Sequence, residues 1–153
     1  MSGASMRSNP WSEMEGRHLG LGRWHHITQS TVETYARLTY DEQYLHVDLL
    51  RATEKFGGTV VHGFYLLSLL PDAVFELTKP LQETHTYMFY GHDEVRVHFP
   101  VLTGSYVRYD LTVVKVTLLK PHMYRLDVDA KLEVQGRDRH AVTCRYLSVV
   151  SRN

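Results

Sequence analysis

The rhythm of apolar positions along the chain changes at about residue 84. Before that point Val32, Tyr35, Ala36 and Leu38 give one inward face to a short helix over 32–38, for which Ser30 or Thr31 offers an N-cap. Asp48 is placed to cap a second short helix over 49–52, and Phe56-Gly57-Gly58 reads as a turn. The most apolar run follows: Val60, Val61, Phe64, Leu66, Leu67, Leu69, Leu70, Ala73, Val74 and Leu77. These positions surround nearly the whole circumference of a helix, which predicts burial on all sides, with a kink or break at Pro71. A short strand is expected over 22–28. Beyond Thr84 the texture becomes that of strands, in segments 84–90, 94–99, 106–119, 123–134 and 140–150. Residues 125–132 alternate with period two, as half-buried antiparallel strands do. Lys120-Pro121-His122 and 135–138 are hairpin connections. One apolar helix followed by long antiparallel strands implies an α+β domain whose sheet curls around that helix. The polar residues 1–17 read as a flexible N-terminal tail, leaving 18–153 as the domain.

Length allows one domain with a real core: 153 residues are too few for two. Seventeen basic residues balance seventeen acidic ones, so no basic field draws the chain to nucleic acid or anionic lipid. The longest apolar stretch is interrupted by His62, Gly63 and Ser68 and is too short to span a bilayer. The N-terminus has no signal-peptide pattern, and the lone Cys144 suits a reducing cytoplasm. Cys144 lies in a strand-like segment, where a small buried thiol is expected rather than a nucleophile.

Candidate chemistry lies in the first half: Asp41, His46 and the glycine-flanked run from Phe56 to Gly63. Residues five apart do not share a helix face, so Asp41 and His46 converge only if a loop follows the first helix. A carboxylate and an imidazole meeting at one water is an arrangement for general acid–base catalysis. By spacing alone the signal is weak, and an aspartate and a histidine five apart read as ordinary surface residues. Gly57-Gly58 before a buried helix either permits close packing or frees an N–H at the helix start, where Gly63 stands, to meet a developing oxyanion.

Three ordered blocks then make the sequence resemble a known family. They are Tyr40-Asp41-Glu42-Gln43-Tyr44-Leu45-His46-Val47-Asp48, then Phe56 through Phe64 with Ser68-Leu69-Leu70-Pro71, and then Tyr90-Gly91, Val95-Arg96, Pro100-Val101, Gly104-Ser105 and Val107-Arg108. This pattern resembles the MaoC-like dehydratases, the R-specific enoyl-CoA hydratases, and in particular the branch that contains nodulation protein N. The resemblance implies a hot-dog fold, a homodimer, and reversible hydration of a trans-2-enoyl thioester carried on coenzyme A or acyl carrier protein. It implies Asp41 and His46 as the catalytic pair and the Gly63 N–H as oxyanion donor, with Tyr40, Tyr44 and His62 as possible pocket residues. It implies no metal and no cofactor beyond the substrate's own carrier. Three positions depart from the family pattern: Tyr40 where glycine is common, Gln43 where asparagine is usual, and Tyr44 for proline or tryptophan. Pro71 takes a place where some members carry a serine, so that role is not assigned here.

Other candidates point elsewhere. Adjacent His25 and His26 on a strand face opposite sides, against a shared metal. The ten histidines show no metal-ligand spacing. Tyr87, Phe89 and Tyr90 suit core or dimer contact, and Arg51, Lys55 and Arg96 are either coenzyme-phosphate contacts or solvated charges. A thioesterase on the same fold and a non-catalytic acyl-binding subunit are the rival functions.

Overall fold

The computed structural model describes residues 10–153. Two short strands, β1 (His18–Leu21) and β2 (His25–His26), lead into α1 (Gln29–Thr39). The short helices α2 (Tyr44–Val47) and α3 (Leu49–Phe56) follow, then α4 (Gly63–Ser68), α5 (Leu70–Leu77) and α6 (Lys79–Gln82). Four long strands complete the chain: β3 (His85–Val97), β4 (Tyr106–Lys120), β5 (Met123–Val134) and β6 (Val142–Arg152). The sheet is antiparallel in the order β1-β4-β5-β6-β3, with β2 also on β4, and it is not closed into a barrel.

The apolar run folds as two helices rather than one. The chain breaks at Leu69, with Pro71 in the first turn of α5, where its missing N–H costs nothing. Leu66, Leu67, Leu70, Ala73 and Val74 pack against the inner face of the sheet, on Tyr109, Leu111, Val113, Leu126 and Val128. The Tyr109 hydroxyl donates to the Leu66 carbonyl at 3.0 Å, which satisfies both buried groups at the helix break. Burial on all sides does not hold: Phe64 is 79% exposed.

Three other expectations are corrected. The segments 84–90 and 94–99 join in the single strand β3 (His85–Val97), because Gly91, His92 and Asp93 stay paired with β6 and only a register shift on each side of them, between Phe89 and Gly91 and between Asp93 and Arg96, marks the interruption. Residues 10–17 of the expected tail are held to the domain instead: Trp11 and Met14 are buried, and Gly16 and Arg17 exchange backbone hydrogen bonds with Val113 on β4. Residues 1–9 of that expected tail lie outside the described residues. The first strand is displaced too, into β1 and β2 on either side of Gly22. Cys144 is buried in β6, where desolvation pushes its thiol up to about 11. Among the described residues no helix is long and apolar enough to cross a membrane.

Candidate active site

Two loops converge at the N-terminal end of α4. The first begins where α1 stops. The Thr28 side chain, rather than Ser30 or Thr31, accepts the Thr31 N–H to start α1, and Tyr40 ends it in the left-handed conformation, φ 60° and ψ 20°. That reversal turns Asp41 off the helix axis. His46 then sits on α2, with Asp48 capping α3 through the Arg51 N–H. The second loop leaves α3 at Gly57, also left-handed (φ 83°), and runs through buried Thr59, Val60, Val61 and His62 to Gly63.

The side chains meet closely. Asp41 Oδ2 lies 3.8 Å from His46 Nε2. That is too long for a direct hydrogen bond and short enough for one water to donate to both atoms. The opposite ring nitrogen fixes the tautomer: His46 Nδ1–H donates to the Val60 carbonyl at 2.6 Å, which leaves Nε2 with a free lone pair facing Asp41. His62 stacks on His46 with centroids 3.6 Å apart and an interplanar angle of 18°. Its Nε2–H donates to the Asp41 backbone carbonyl at 2.9 Å, and its buried Nδ1 has no hydrogen-bond partner among the described residues. The ring thus ties both loops together.

The two acid–base groups are tuned by different surroundings. A hydrogen bond from Gln43 holds the Asp41 carboxyl below its ordinary value, and the nearby imidazoles add to that. Burial pushes His46 below 6.5, against the opposing pull of the Val60 carbonyl, and His62 lowers it further. At neutral pH both groups are therefore in their basic forms, a carboxylate beside a neutral imidazole.

Asp41, His46 and His62 each bring a ligand atom within 4.8 Å of the others. Their disposition fits a metal poorly. Lone pairs lie in the imidazole planes, and rings stacked at 18° cannot both aim at one ion unless one of them turns. His46 Nδ1 and His62 Nε2 are also engaged by backbone carbonyls.

Of the other sequence candidates, Gly63 is the first residue of α4, so its N–H has no intrahelical acceptor. Tyr44 is half-buried under the Arg51 guanidinium, 4.3 Å from its ring centroid. Tyr40 is 92% exposed, so its ring projects into solvent instead of forming a pocket wall. A polar strut that no motif in the sequence announces lies beneath the pair. Gln29 donates to the His46 carbonyl at 3.0 Å and accepts from Thr59 Oγ1 at 2.5 Å, and Thr59 Oγ1 also meets Thr103 Oγ1 at 2.6 Å. Thr59 is fully buried. A threonine between Gly58 and the start of the apolar run was the available signal.

Residues 12–134 match the family model described as the MaoC like domain. The chain belongs to that family. It is 32% identical to nodulation protein N of Rhizobium leguminosarum bv. viciae over 88% of this chain and 85% of that protein. It is 35% identical to 3-hydroxyacyl-thioester dehydratase Z of Mycobacterium tuberculosis over 82% of this chain and 83% of that one. The fold is similar to that of R-hydratase PhaJ1 from Pseudomonas aeruginosa, with a TM-score of 0.74 at 19% identity over 94% of this chain and 86% of that one. The architecture is thus the MaoC-like hot-dog: a central helical segment against a long antiparallel sheet.

Proposed function

We propose that this chain adds water reversibly to a trans-2-enoyl thioester, giving the (R)-3-hydroxyacyl thioester. The observation that carries the reading is the 3.8 Å gap between a carboxylate and an imidazole lone pair, both in basic form, at the start of α4. A water donating to both is held with its oxygen lone pair free. In this reading Asp41 takes one proton as that oxygen bonds to the β-carbon. The electron pair moves through the α-carbon to the thioester oxygen, which the Gly63 N–H stabilises. The proton taken from water returns to the α-carbon from the same face, with His46 orienting the water and sharing that proton. Hydrogen and hydroxyl add syn, and atoms balance with no metal or redox cofactor, because the thioester itself acidifies the α-carbon.

The dehydratase name of the Mycobacterium tuberculosis relative supports the same class of reaction. The active form in this reading is a homodimer. Strand β3 is a sheet edge carrying Met88, Phe89 and Tyr90, the latter two 62% exposed, and such an edge calls for pairing. Light scattering should give twice the 17.8 kDa chain mass. A fully active monomer would contradict the dimer.

Crotonyl-CoA distinguishes the reactions. Water at the β-carbon removes the conjugated absorbance and leaves the thioester intact, whereas water at the carbonyl frees a thiol. The expected result is absorbance loss without thiol, and an (R)-3-hydroxy product. Thiol release matching substrate loss would replace the hydratase with a thioesterase. No change with enoyl thioesters of any length would leave a binding subunit.

A further inference from the structure

Behind the acid–base pair stands a row of rings drawn from separate parts of the chain. His46 of α2 stacks on His62, with centroids 3.6 Å apart and planes at 18°. Tyr35 of α1 leans on His62 at 5.1 Å and 55°, and Tyr65 of α4 lies nearly parallel to Tyr35 at 5.1 Å and 21°. These separations are those of favourable offset and tilted contacts between aromatic rings. Tyr35 and Tyr65 are both half-buried, so neither ring is free to swing into solvent.

Hydrogen bonds alone do not fix the two imidazoles. Among the described residues the His46 ring makes one, from Nδ1–H to the Val60 carbonyl at 2.6 Å, and the His62 ring makes one, from Nε2–H to the Asp41 carbonyl at 2.9 Å. His62 Nδ1 is buried without a partner. A ring with a single hydrogen bond can still turn about it. If His46 turned, its Nε2 lone pair would leave Asp41; if His62 turned, it would drag the backbone from which Asp41 projects. What opposes both rotations is ring contact: His62 braces His46, and Tyr35 braces His62. Tyr35 also belongs to the helix whose C-cap, Tyr40, immediately precedes Asp41, so one element carries both the brace and the carboxylate. The Tyr35 hydroxyl makes no hydrogen bond among the described residues. Burial, and after it the charge of Asp41, raise the phenol above its ordinary value, so it stays neutral.

We propose that Tyr35, backed by Tyr65, is a positioning residue: its ring holds the His62 imidazole against His46 and so fixes the 3.8 Å gap between Asp41 and His46. That the gap serves hydration rests on the thioester reading above; the bracing of the two imidazoles does not.

Turnover of crotonyl-CoA and an NMR titration of the His46 ring test the brace together. Tyr35→Leu removes the ring and keeps an apolar side chain. It should lower kcat about 10–100-fold with KM little changed, the scale of a displacement of about 1 Å at a reacting group. The His46 pKa should rise at the same time. Burial and the neighbouring His62 lower it, and both weaken when the stack loosens; the Val60 carbonyl, which raises it, stays in place, and the facing Asp41 raises it least. Tyr35→Phe keeps the ring and should restore most of both losses, whereas Tyr65→Leu should shift them as Tyr35→Leu does, by less. A Tyr35→Leu protein that melts at a lower temperature yet keeps the parent kcat and His46 titration overturns the proposal, because the ring would then serve the fold alone. So does a Tyr35→Phe protein as impaired as Tyr35→Leu, because the hydroxyl would then be the active part. If Tyr35→Leu does not fold, Tyr65→Leu carries the same test, and parent values there overturn the proposal. Brace-dependent titration of His46 in a parent that turns over no enoyl thioester would uphold the positioning and overturn the hydratase.

Discussion

The loop from Tyr40 to Asp48 lies partly in water, whereas the one from Gly57 to His62 runs into the core. In the first, Glu42 and Gln43 are exposed and the Asp41 side chain is 42% exposed. In the second, the four residues Thr59, Val60, Val61 and His62 are all buried. The difference sets the protonation of the site. Water and the Gln43 amide favour the charged form of Asp41, and burial favours the neutral form of His46. Reversing the two environments would raise the affinity of both groups for protons, so each would stop serving as a base for the water at a higher pH. Two titratable groups with environments that differ in this way are what a paired acid–base site requires.

The largest effects should come from breaking the pair. Asp41→Asn and His46→Gln should each lower turnover by about 10²–10⁴, as for other positioned acids and bases. Since both act on one water, the double variant should lose little more than the worse single one. Fully additive losses would mean that the two groups act separately, and an active Asp41→Asn protein would remove the carboxylate from the mechanism.

Next comes Gly63, where the buried loop becomes helix. Proline is well tolerated at a first helical position, and His62 already has the extended backbone that proline demands of its predecessor (φ −58°, ψ 134°). A Cβ there would meet only Val97 Cγ2, at 3.6 Å. Gly63→Pro therefore deletes one N–H and little else. It should cost about 10²–10³ in kcat if that N–H serves the oxyanion. Gly63→Ala, which keeps the N–H, is the control, and equal losses in both would point to packing instead.

A substitution in each loop separates structural from electrostatic support. Thr59→Val leaves the Gln29 amide oxygen and the Thr103 hydroxyl without their buried partner, so it should destabilise the fold by about 1–3 kcal/mol. Gln43→Ala on the exposed loop should leave stability nearly unchanged and raise the Asp41 pKa. Denaturant midpoints read the first effect, and an NMR titration of the carboxyl reads the second. A larger stability loss from Gln43→Ala would reverse the comparison.

The pH profile tests the neutral half. Activity requires an unprotonated His46, whose pKa is lowered, so the acid limb of kcat/KM should fall below 6.5. His62→Gln removes a neighbouring imidazole that lowers His46, and the limb should move upward. A downward move would show that His62 stabilises the charged form.

Legibility in the sequence follows the same division. Strands 106–119 and 123–134 were readable almost to the residue, because one face of each is buried and period-two alternation records it. Asp48 as a cap and Pro71 as a break were readable from local chemistry alone. Trp11 was not: a single aromatic in a polar segment has no period, and its burial against His85 and Tyr87 depends on distant β3. Asp41 and His46 were found through the family resemblance, since spacing left them ordinary. The stacking of His62 on His46 was invisible because it arises from two loops crossing, which no short window contains.

The smallest expected effect is at Tyr40, which shares its left-handed conformation with Gly57. Glycine adopts that region freely, whereas a side chain there costs about 1–2 kcal/mol. Tyr40→Gly relieves that strain but adds freedom to the unfolded chain, so the net gain in stability should be at most about 1 kcal/mol. It would be read as a higher denaturant midpoint with an unchanged slope. The tyrosine ring is 92% exposed and Asp41 already stands 3.8 Å from His46, so turnover should stay near that of the parent. A faster variant would show that the bulk of Tyr40 holds the carboxylate off its water. A more stable but slower one would show the opposite: the strained turn fixes the direction of Asp41, and catalysis draws on energy stored at the end of α1.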